Sequence, residues 1–522
     1  MKFSAQLLPG QLARNPFYVL LAVCLFFYLA YELAQDILAG DLTGLLYLAL
    51  LIVGGVLVMA ILNDWRRGLY LLVGWILFED FVRKFLGNNM AIYFAKDALA
   101  IVLYISFFRA RLAKRAEKFR IPFRIALLVF IWLGFLQMFN PASPSIFYGI
   151  LGMKVYFLYV PLVFVGYALL ESEEELRRFF SFTCILILIV AGLGLTQSII
   201  GPTFLNPSTL QEDIRELSTL YRVSSSGAIA YRPTSVFVSA GRFQDFLIVG
   251  WLISLGFCAY LLLRSRKHRA LAFTTAGVVA AASLMSASRG VFMWNAGIAL
   301  VVTAGFLWGA PWRQGEVKRT LRAIQRTTLF AGIALMLLLT IFPEELGSRL
   351  AIYSETLLPN SPASELVHRM QTYPLQQFVL AFDHPRWPYG YGIGTCSLGG
   401  QYVIRIMHAM PTYVGVESGF GNLIVELGIV GLILWIVLGF SISLSAWKVV
   451  NELRGTPWFP LAFVVFLFSF LLFFPMTFTS FTTYQDFVIN AYFWLLLGVL
   501  YRLRRFPKAI QIAQAQAVPG QG

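Results

Sequence analysis

The chain has 522 residues, of which 58% are hydrophobic and only 13% are charged. A soluble chain of this length carries about 25% charged residues, and the apolar residues here form blocks near the ~20 residues that cross a bilayer. The composition therefore excludes an ordinary soluble protein and indicates a polytopic membrane protein, whose net charge of +15 belongs to basic cytoplasmic loops and not to a nucleic-acid site.

The apolar blocks predict about fourteen membrane-spanning helices. The first is predicted to be a retained helix, because no small-residue cleavage site follows it. The third and fourth are the weakest, since Glu79, Asp80, Lys96 and Asp97 interrupt them. In chain order the predicted spans lie at approximately 17–34, 43–62, 68–86, 91–108, 122–139, 149–170, 180–200, 242–263, 270–286, 291–309, 325–342, 420–445, 458–476 and 485–502.

Basic clusters occur in alternate loops, as the positive-inside rule requires. The loops "FRARLAKRAEKFRIPFR", "RSRKHR" and "PWRQGEVKRTLRAIQR" and the tail "YRLRRFPK" fall on one side, whereas "AQDILAGDL" and "TFTSFTTYQD" fall on the other. This alternation predicts that both termini are cytoplasmic. The predicted organisation is helices 1–7 at 1–200, an external loop at 201–241, helices 8–11 at 242–342, a large external loop at 343–419, and helices 12–14 with a cytoplasmic tail at 420–522.

The two long external loops hold most of the external positive charge. Arg215, Arg222 and Arg349 lie near Glu or Asp in the sequence and are predicted to be ordinary surface residues. Arg232 in "AIAYRPTSVFVSAGRF" and Arg289 in "SASRGVF" have apolar or small neighbours instead. Charge beside apolar surface is costly and usually marks a site. Because a guanidinium binds two phosphate oxygens at once, this pair predicts a site for an anionic group such as a lipid-linked diphosphate.

The second external loop contains two further recognisable stretches. The sequence "SELVHRMQTYPLQQFVLAF" predicts a short amphipathic helix that breaks before Pro374. The following "DHPRWPYGYGIGT" is a turn-rich stretch with three glycines at a spacing of two, and no strand precedes it as a nucleotide-binding loop would need. The chain then passes from Glu417 into the helix of "VESGFGNLIVELGIVGLILWIV".

These stretches, taken in order over roughly 230–435, resemble the bacterial O-antigen ligase and polysaccharide polymerase family. "YRPTSVFVSAGRF" is similar to the family's arginine-containing segment before a helix, and "SASRG" to its Ser-Arg element at the outer end of a later helix. "HRM…AFDHPRWPYGYGIGT" resembles its Arg, helix, His-Pro and Gly-x-Gly turn, and "ESGFGNLIVELGIVGL" its last loop segment. The resemblance implies an all-α, GT-C-like bundle of transmembrane helices.

The resemblance also implies a function and a site. Members of the family transfer glycans from undecaprenyl diphosphate to a glycan or glycolipid acceptor, on the outer face of the bacterial inner membrane. Carried onto this chain, Arg232 and Arg289 would bind the diphosphate, and Arg369 would position the loop or the second phosphate. Glu417 would take the proton of an acceptor hydroxyl, and the single displacement would invert the anomeric carbon. No metal, cofactor or nucleotide is required, and the expected partners are the donor, the acceptor and the bilayer.

The chain departs from the family at the position of the expected base. Where ligases usually carry histidine, this sequence has Glu417, followed by Ser418 in place of asparagine. A carboxylate can serve as the base in glycosyl transfer. His408 in "IMHAMPTYVGVESG" is a rival base, and the choice between ligase and polymerase stays open, as do the sugar and the acceptor.

A transporter or flippase of a lipid-linked oligosaccharide is the alternative function. About fourteen spans suit an exporter, and Lys96, Asp97 and Lys154 would serve its substrate or a proton. An internal repeat, which many transporters show, is not evident in the sequence. A long external loop that carries Arg, His and Glu favours the enzyme.

Overall fold

The computed structural model describes most of the chain beyond residue 42. Of the predicted spans, 17–34 and most of 325–342 lie outside the described residues. Regular structure in the described part is helical apart from one pair of three-residue strands. The described residues are 43–86, 90–207, 220–223, 229–311, 340–357, 373–398, 400–408 and 416–506, together with Gly227 and Met336.

The chain divides into two compact units, residues 1–71 and 72–522. Within the first unit lie α1 (Thr43–Asn63) and the start of α2 (Trp65–Phe85). Asp64 separates the two helices, and its carboxylate accepts a hydrogen bond from the backbone N–H of Arg66 at 3.0 Å. A short acidic side chain at this position caps the first turn of a helix.

The second unit contains the remainder of α2 and every later element. Its two strands pair antiparallel, with Arg222 opposite Ala230. The elements are α3 (Met90–Leu112), α4 (Arg124–Met138), α5 (Ile146–Phe157), α6 (Leu162–Leu169), α7 (Glu173–Ile200), β1 (Tyr221–Val223), β2 (Ile229–Tyr231), α8 (Ala240–Arg264), α9 (Arg269–Met285), α10 (Arg289–Gly309), α11 (Pro343–Leu357), α12 (Tyr373–Leu380), α13 (Gly400–Met407), α14 (Gly419–Glu452), α15 (Phe459–Leu471), α16 (Thr477–Thr479), α17 (Thr482–Gln485) and α18 (Phe487–Leu503).

Six helical segments among the described residues are long and apolar enough to cross a membrane. They are Ile146–Leu169, which joins α5 and α6, then α7, α8, α10, α14 and Phe459–Thr479. Shorter apolar helices include α4, α9 and α18. The prediction of an all-α membrane protein is confirmed at this level, whereas the count of about fourteen spans and the cytoplasmic placement of both termini stay predictions.

The predicted span at 149–170 is two helices rather than one. α5 ends at Phe157 and α6 begins at Leu162, with Pro161 as the N-cap of α6. Proline lacks the N–H that would continue the helical hydrogen bonds, so the chain breaks there. Pro475 has a milder effect, because it lies inside a π-helical turn, Leu472–Met476, that continues α15 into α16.

Close backbone contact through glycine places α18 against this broken span. A Cβ on Gly498 of α18 would collide with the carbonyl of Val163 in α6, and one on Gly166 would collide with the carbonyl of Leu495. Small residues allow this approach between membrane helices. Asn490 of α18 also donates to the carbonyl of Val155 at 3.1 Å. α18 therefore packs along α6, and its first turn bonds to the end of α5.

Candidate functional site

A cavity of about 1630 Å³ lies where the N-terminal ends of four of the described helices meet. Its lining includes residues at or beside the first turn of each helix: Gly241 for α8, Arg289 for α10, Glu417 for α14 and Phe487 for α18. The exposed N–H groups and the dipole at a helix N-terminus favour a negative charge. The helix dipoles therefore add positive potential at this end of the bundle, which the Asp486 carboxylate that caps α18 partly offsets.

Arg289 is the first residue of α10, and its side chain is buried where it lines the cavity. The chain reaches it through a tight turn after α9, in which Ala287 adopts a left-handed φ of 52°. Ser288 caps α10 by accepting a hydrogen bond from the N–H of Val291. Asn295 of α10 donates to the hydroxyl of Ser283 in α9 at 2.8 Å. These bonds fix the backbone that carries Arg289.

Arg232 follows β2 and lines the same cavity, half-buried. Its backbone N–H donates to the carbonyl of Leu220 at 2.7 Å, and its Nη2 donates to Oε1 of Gln244 at 3.3 Å. Burial lowers the pKa of Arg232 below its usual value, but an arginine keeps its charge at neutral pH. The residues after it are held by Gln197, whose Oε1 accepts from the N–H of Thr234 at 2.9 Å.

Glu417 stands two residues before α14, and its exposed side chain lines the cavity. Its backbone N–H donates to Oε1 of Gln377 at 3.1 Å. Ser418 caps α14 and donates its hydroxyl proton to the carbonyl of Phe478 at 3.0 Å. The backbone is thus anchored on both sides, and Glu417 lines the same cavity as Arg232 and Arg289.

The other two predicted site residues are placed differently. His408 follows the last residue of α13 with a left-handed φ of 50°, is exposed, and is not among the described residues that line the cavity. Arg369 lies outside the described residues. The structure therefore brings Arg232, Arg289 and Glu417 to one cavity and does not bring His408 into its lining.

Seven basic and three acidic side chains line the cavity among the described residues. Four of the seven basic side chains form ion pairs with carboxylates. Lys154 pairs with Asp97 at 2.6 Å. Arg83, Lys96 and Arg242 belong to a buried ion cluster that joins α2, α3 and α8 to the start of α18. Its members are Glu79, Asp80, Arg83, Lys96, Arg242 and Asp486. The lining carries an excess of positive charge, which suits an anionic ligand.

The buried ion cluster is held at short range. Arg242 Nε lies 2.6 Å from Oδ2 of Asp486, and the same guanidinium pairs with Asp80. Arg83 Nη2 lies 2.7 Å from Oδ1 of Asp80. The charges that weakened the third and fourth predicted spans are therefore compensated, Asp80 by Arg83 and the distant Arg242, and Lys96 by Glu79. Burial requires such compensation.

Two side-chain amide atoms on the cavity lining have no hydrogen-bond partner among the described residues. They are Nε2 of Gln244, a donor, and Oδ1 of Asn422, an acceptor, and both atoms are buried. Buried polar atoms in folded proteins are normally satisfied. A ligand that both donates and accepts, such as a sugar hydroxyl, has the complementary chemistry.

Glu426 of α14 is a residue of this site that the sequence analysis did not single out. It is fully buried and accepts three hydrogen bonds: from the hydroxyl of Tyr156 at 2.6 Å, the N–H of Cys396 at 2.7 Å and the hydroxyl of Ser397 at 3.0 Å. Cys396 and Ser397 line the cavity. The signal in the sequence is a lone glutamate within an apolar run, two residues before Gly428.

The glycine-rich stretch around Gly390, Gly392 and Gly394 folds as the predicted run of turns. It packs against a break in α14. Gly428 interrupts that helix with a φ of 74°. The N–H of Gly392 donates to the carbonyl of Glu426 at 2.9 Å. Gly390, Gly392 and Gly394 have φ of 75°, 110° and 89°, which favours glycine. A Cβ on Gly394 would also collide with the carbonyl of Tyr148.

Two of the arginines predicted to be ordinary surface residues are not. Arg349 is fully buried, where its guanidinium bonds to Glu345 and to main-chain carbonyls. Arg222 is half-buried and lines the cavity. Proximity to an acidic residue in the sequence was a poor guide, because the position of each side chain follows from packing between distant segments. Arg215 lies outside the described residues.

No protein-family model matches the chain, and no curated protein matches it either. No group of three or more His, Cys, Asp or Glu side chains that could hold a metal ion occurs in the part of the chain that the structure describes. The fold and the cavity thus define the class: an all-α membrane protein with a basic cavity at the N-terminal ends of its helices.

Proposed function

We propose that the chain is a membrane glycosyltransferase of the O-antigen ligase and polysaccharide polymerase type. It transfers or polymerises glycan from an undecaprenyl-diphosphate-linked donor, on the outer face of the bacterial inner membrane. The observation that carries the proposal is the meeting of Arg232, Arg289 and Glu417 at one cavity. These residues come from segments far apart in the sequence, and together they supply the charges that such a reaction needs.

Arg232 and Arg289 are assigned to the diphosphate. A guanidinium presents parallel N–H donors that match the oxygens of a phosphate. Negative charge grows on the diphosphate as it leaves the sugar, and fixed cations at that position lower the barrier. The helix N-termini around the cavity act in the same direction.

Glu417 is assigned as the base. An acceptor hydroxyl forms a bond from its oxygen to the anomeric carbon, while the bond from that carbon to the diphosphate oxygen breaks. The hydroxyl proton passes to the carboxylate of Glu417, and undecaprenyl diphosphate leaves with the bonding electrons. One displacement inverts the anomeric carbon. Glu417 is preferred to His408 because only Glu417 is in the described lining.

A transporter of the same lipid-linked glycan remains the alternative. Its candidate charges form ion pairs, with Lys154 2.6 Å from Asp97 and Lys96 3.4 Å from Glu79. Paired charges are held in place by each other, and a carrier would have to break these pairs to use them. This pairing favours the enzyme.

The test uses purified protein in detergent with an undecaprenyl-diphosphate-linked glycan and a glycan acceptor. An enzyme forms the transferred product with no sealed compartment, whereas a transporter leaves the donor unchanged. Arg289→Lys should lower the rate by roughly 10²-fold, because it removes fork-shaped donors from the leaving group. The matched control is Arg264→Lys, since Arg264 pairs with Glu173 at the end of α8 farther from the cavity. No product from the wild-type protein, or equal rates for both variants, would overturn the proposal.

A further inference from the structure

Arg349 of α11 uses every N–H of its guanidinium. Nε donates to the carbonyl of Met285 at 2.9 Å, and Nη2 donates to the carbonyls of Ser198 and Tyr231, each at 3.3 Å. Nη1 lies 2.6 Å from Oε2 of Glu345 and also bonds to the Glu345 carbonyl. Five donors thus meet five acceptors, which is the full capacity of an arginine.

The same face of α11 makes two further contacts. Ile352 is fully buried and packs with Ala230 and Ala287. The hydroxyl of Tyr353 donates to the carbonyl of Leu284 at 2.8 Å, and its ring stacks on Phe292 with centroids 5.1 Å apart. Positions separated by three and four residues share one face of a helix, so these contacts and that of Arg349 act together.

The contacted segments are those that carry the cavity arginines. Met285 is the last residue of α9 and lies four residues before Arg289. Tyr231 is the residue before Arg232. Ala287, which Ile352 covers, is the left-handed residue of the turn that leads into α10. α11 therefore lies across both segments and holds their backbones in a single arrangement.

We propose that Arg349 is a positioning residue that fixes the spacing of Arg232 and Arg289, so that the two arginines bind one diphosphate together. This inference rests on the proposed function of the site. Lysine cannot substitute, because an ammonium has three donors on one atom and cannot reach acceptors on three separate segments. If Arg349 only supported the fold, its replacement would destabilise the protein. Its effect on diphosphate binding would then be independent of the effect of replacing Arg289.

A double-mutant cycle distinguishes the two roles. The probe is farnesyl diphosphate, whose binding to the purified full chain in detergent is measured by titration calorimetry, with farnesol as the uncharged control. Arg349→Lys and Arg289→Lys should each weaken binding roughly tenfold, within the range of neighbouring residues that act together. The double variant should be no more than about twofold weaker than Arg289→Lys alone, because Arg349 acts through the arginines that it positions.

Arg502→Lys is the matched control. Arg502 is also largely buried, donates to the carbonyl of Leu170 at 2.5 Å and pairs with Glu117. It is not in the described lining of the cavity, so its replacement should leave the affinity within about twofold of wild type. Should Arg349→Lys fail to fold, Tyr353→Phe keeps the ring stack, removes the bond to Leu284, and should weaken binding roughly threefold.

The outcomes separate this inference from the function on which it rests. Wild-type affinity in Arg349→Lys or Tyr353→Phe, with weakened binding in Arg289→Lys, would overturn the positioning role and leave the proposed function standing. Fully additive losses in the double variant, or an equal loss in Arg502→Lys, would also overturn it. Absence of diphosphate binding by the wild-type protein would overturn both.

Discussion

Replacement of Glu426 by alanine should release the turn that forms one wall of the cavity. The carboxylate accepts hydrogen bonds from Tyr156 at 2.6 Å, Cys396 at 2.7 Å and Ser397 at 3.0 Å. Each such bond is worth about 1 kcal/mol net, and more where one partner is charged. Loss of all three therefore lowers the free energy of opening of this segment by about 3 kcal/mol.

Amide hydrogen exchange measures that opening directly. Since about 1.4 kcal/mol corresponds to a factor of ten, a peptide that covers residues 390–398 should exchange roughly hundredfold faster in Glu426→Ala than in the wild-type protein. Peptides from the buried helix α18 should keep their wild-type rates. The control is Glu452→Ala, because Glu452 ends the same helix, where it pairs with Arg504. Unchanged exchange at 390–398, or equal acceleration along the whole chain, would refute the role assigned to Glu426.

Three further predictions concern the base, the glycine turn and the orientation. Glu417→Gln should still bind the lipid-linked donor but turn over about 10²–10⁴-fold more slowly. The control Glu344→Gln, which alters an exposed carboxylate of α11, should turn over normally. Normal turnover in Glu417→Gln would show that another residue is the base. Gly394→Ala should abolish activity and shift the thermal unfolding midpoint downward, because its Cβ has no room, and a fully active variant would contradict this. Cysteines placed at 205–240 should react in intact cells with a membrane-impermeant thiol reagent, and cysteines at 110–120 should not. The reverse result would show that the cavity does not face the exterior.

The sequence predicted the helices well because apolar runs of this length have few other structures available. α8 and α10 begin within two residues of the predicted spans at 242–263 and 291–309. The turn-rich character of the stretch with Gly390, Gly392 and Gly394 was also predicted. The structure agrees, because all three residues adopt positive φ. These are local properties, and local sequence determines them.

Long-range contacts could not be predicted in the same way. Arg349 was expected on the surface because acidic residues lie near it in the sequence, yet its acceptors on Ser198 and Tyr231 are 151 and 118 residues away. Glu426 likewise bonds to Tyr156, at a separation of 270 residues. Which side chain completes which site depends on the packing of whole helices, and a single sequence carries no direct record of it.

The buried ion cluster has a consequence for how the protein is made. Asp80 in α2 pairs with Arg242, 162 residues later, and Arg242 pairs with Asp486, a further 244 residues later. A lone charge within the apolar layer costs about 3 kcal/mol on the scale of translocon-mediated insertion. Within α2, Arg83 already compensates Asp80, whereas Arg242 gains Asp80 as a partner when α8 is made and Asp486 only when the start of α18 is made. The buried ion cluster is therefore completed only by the start of α18, and a nascent chain that stops before α18 carries Arg242 with Asp80 as its acidic partner and without Asp486.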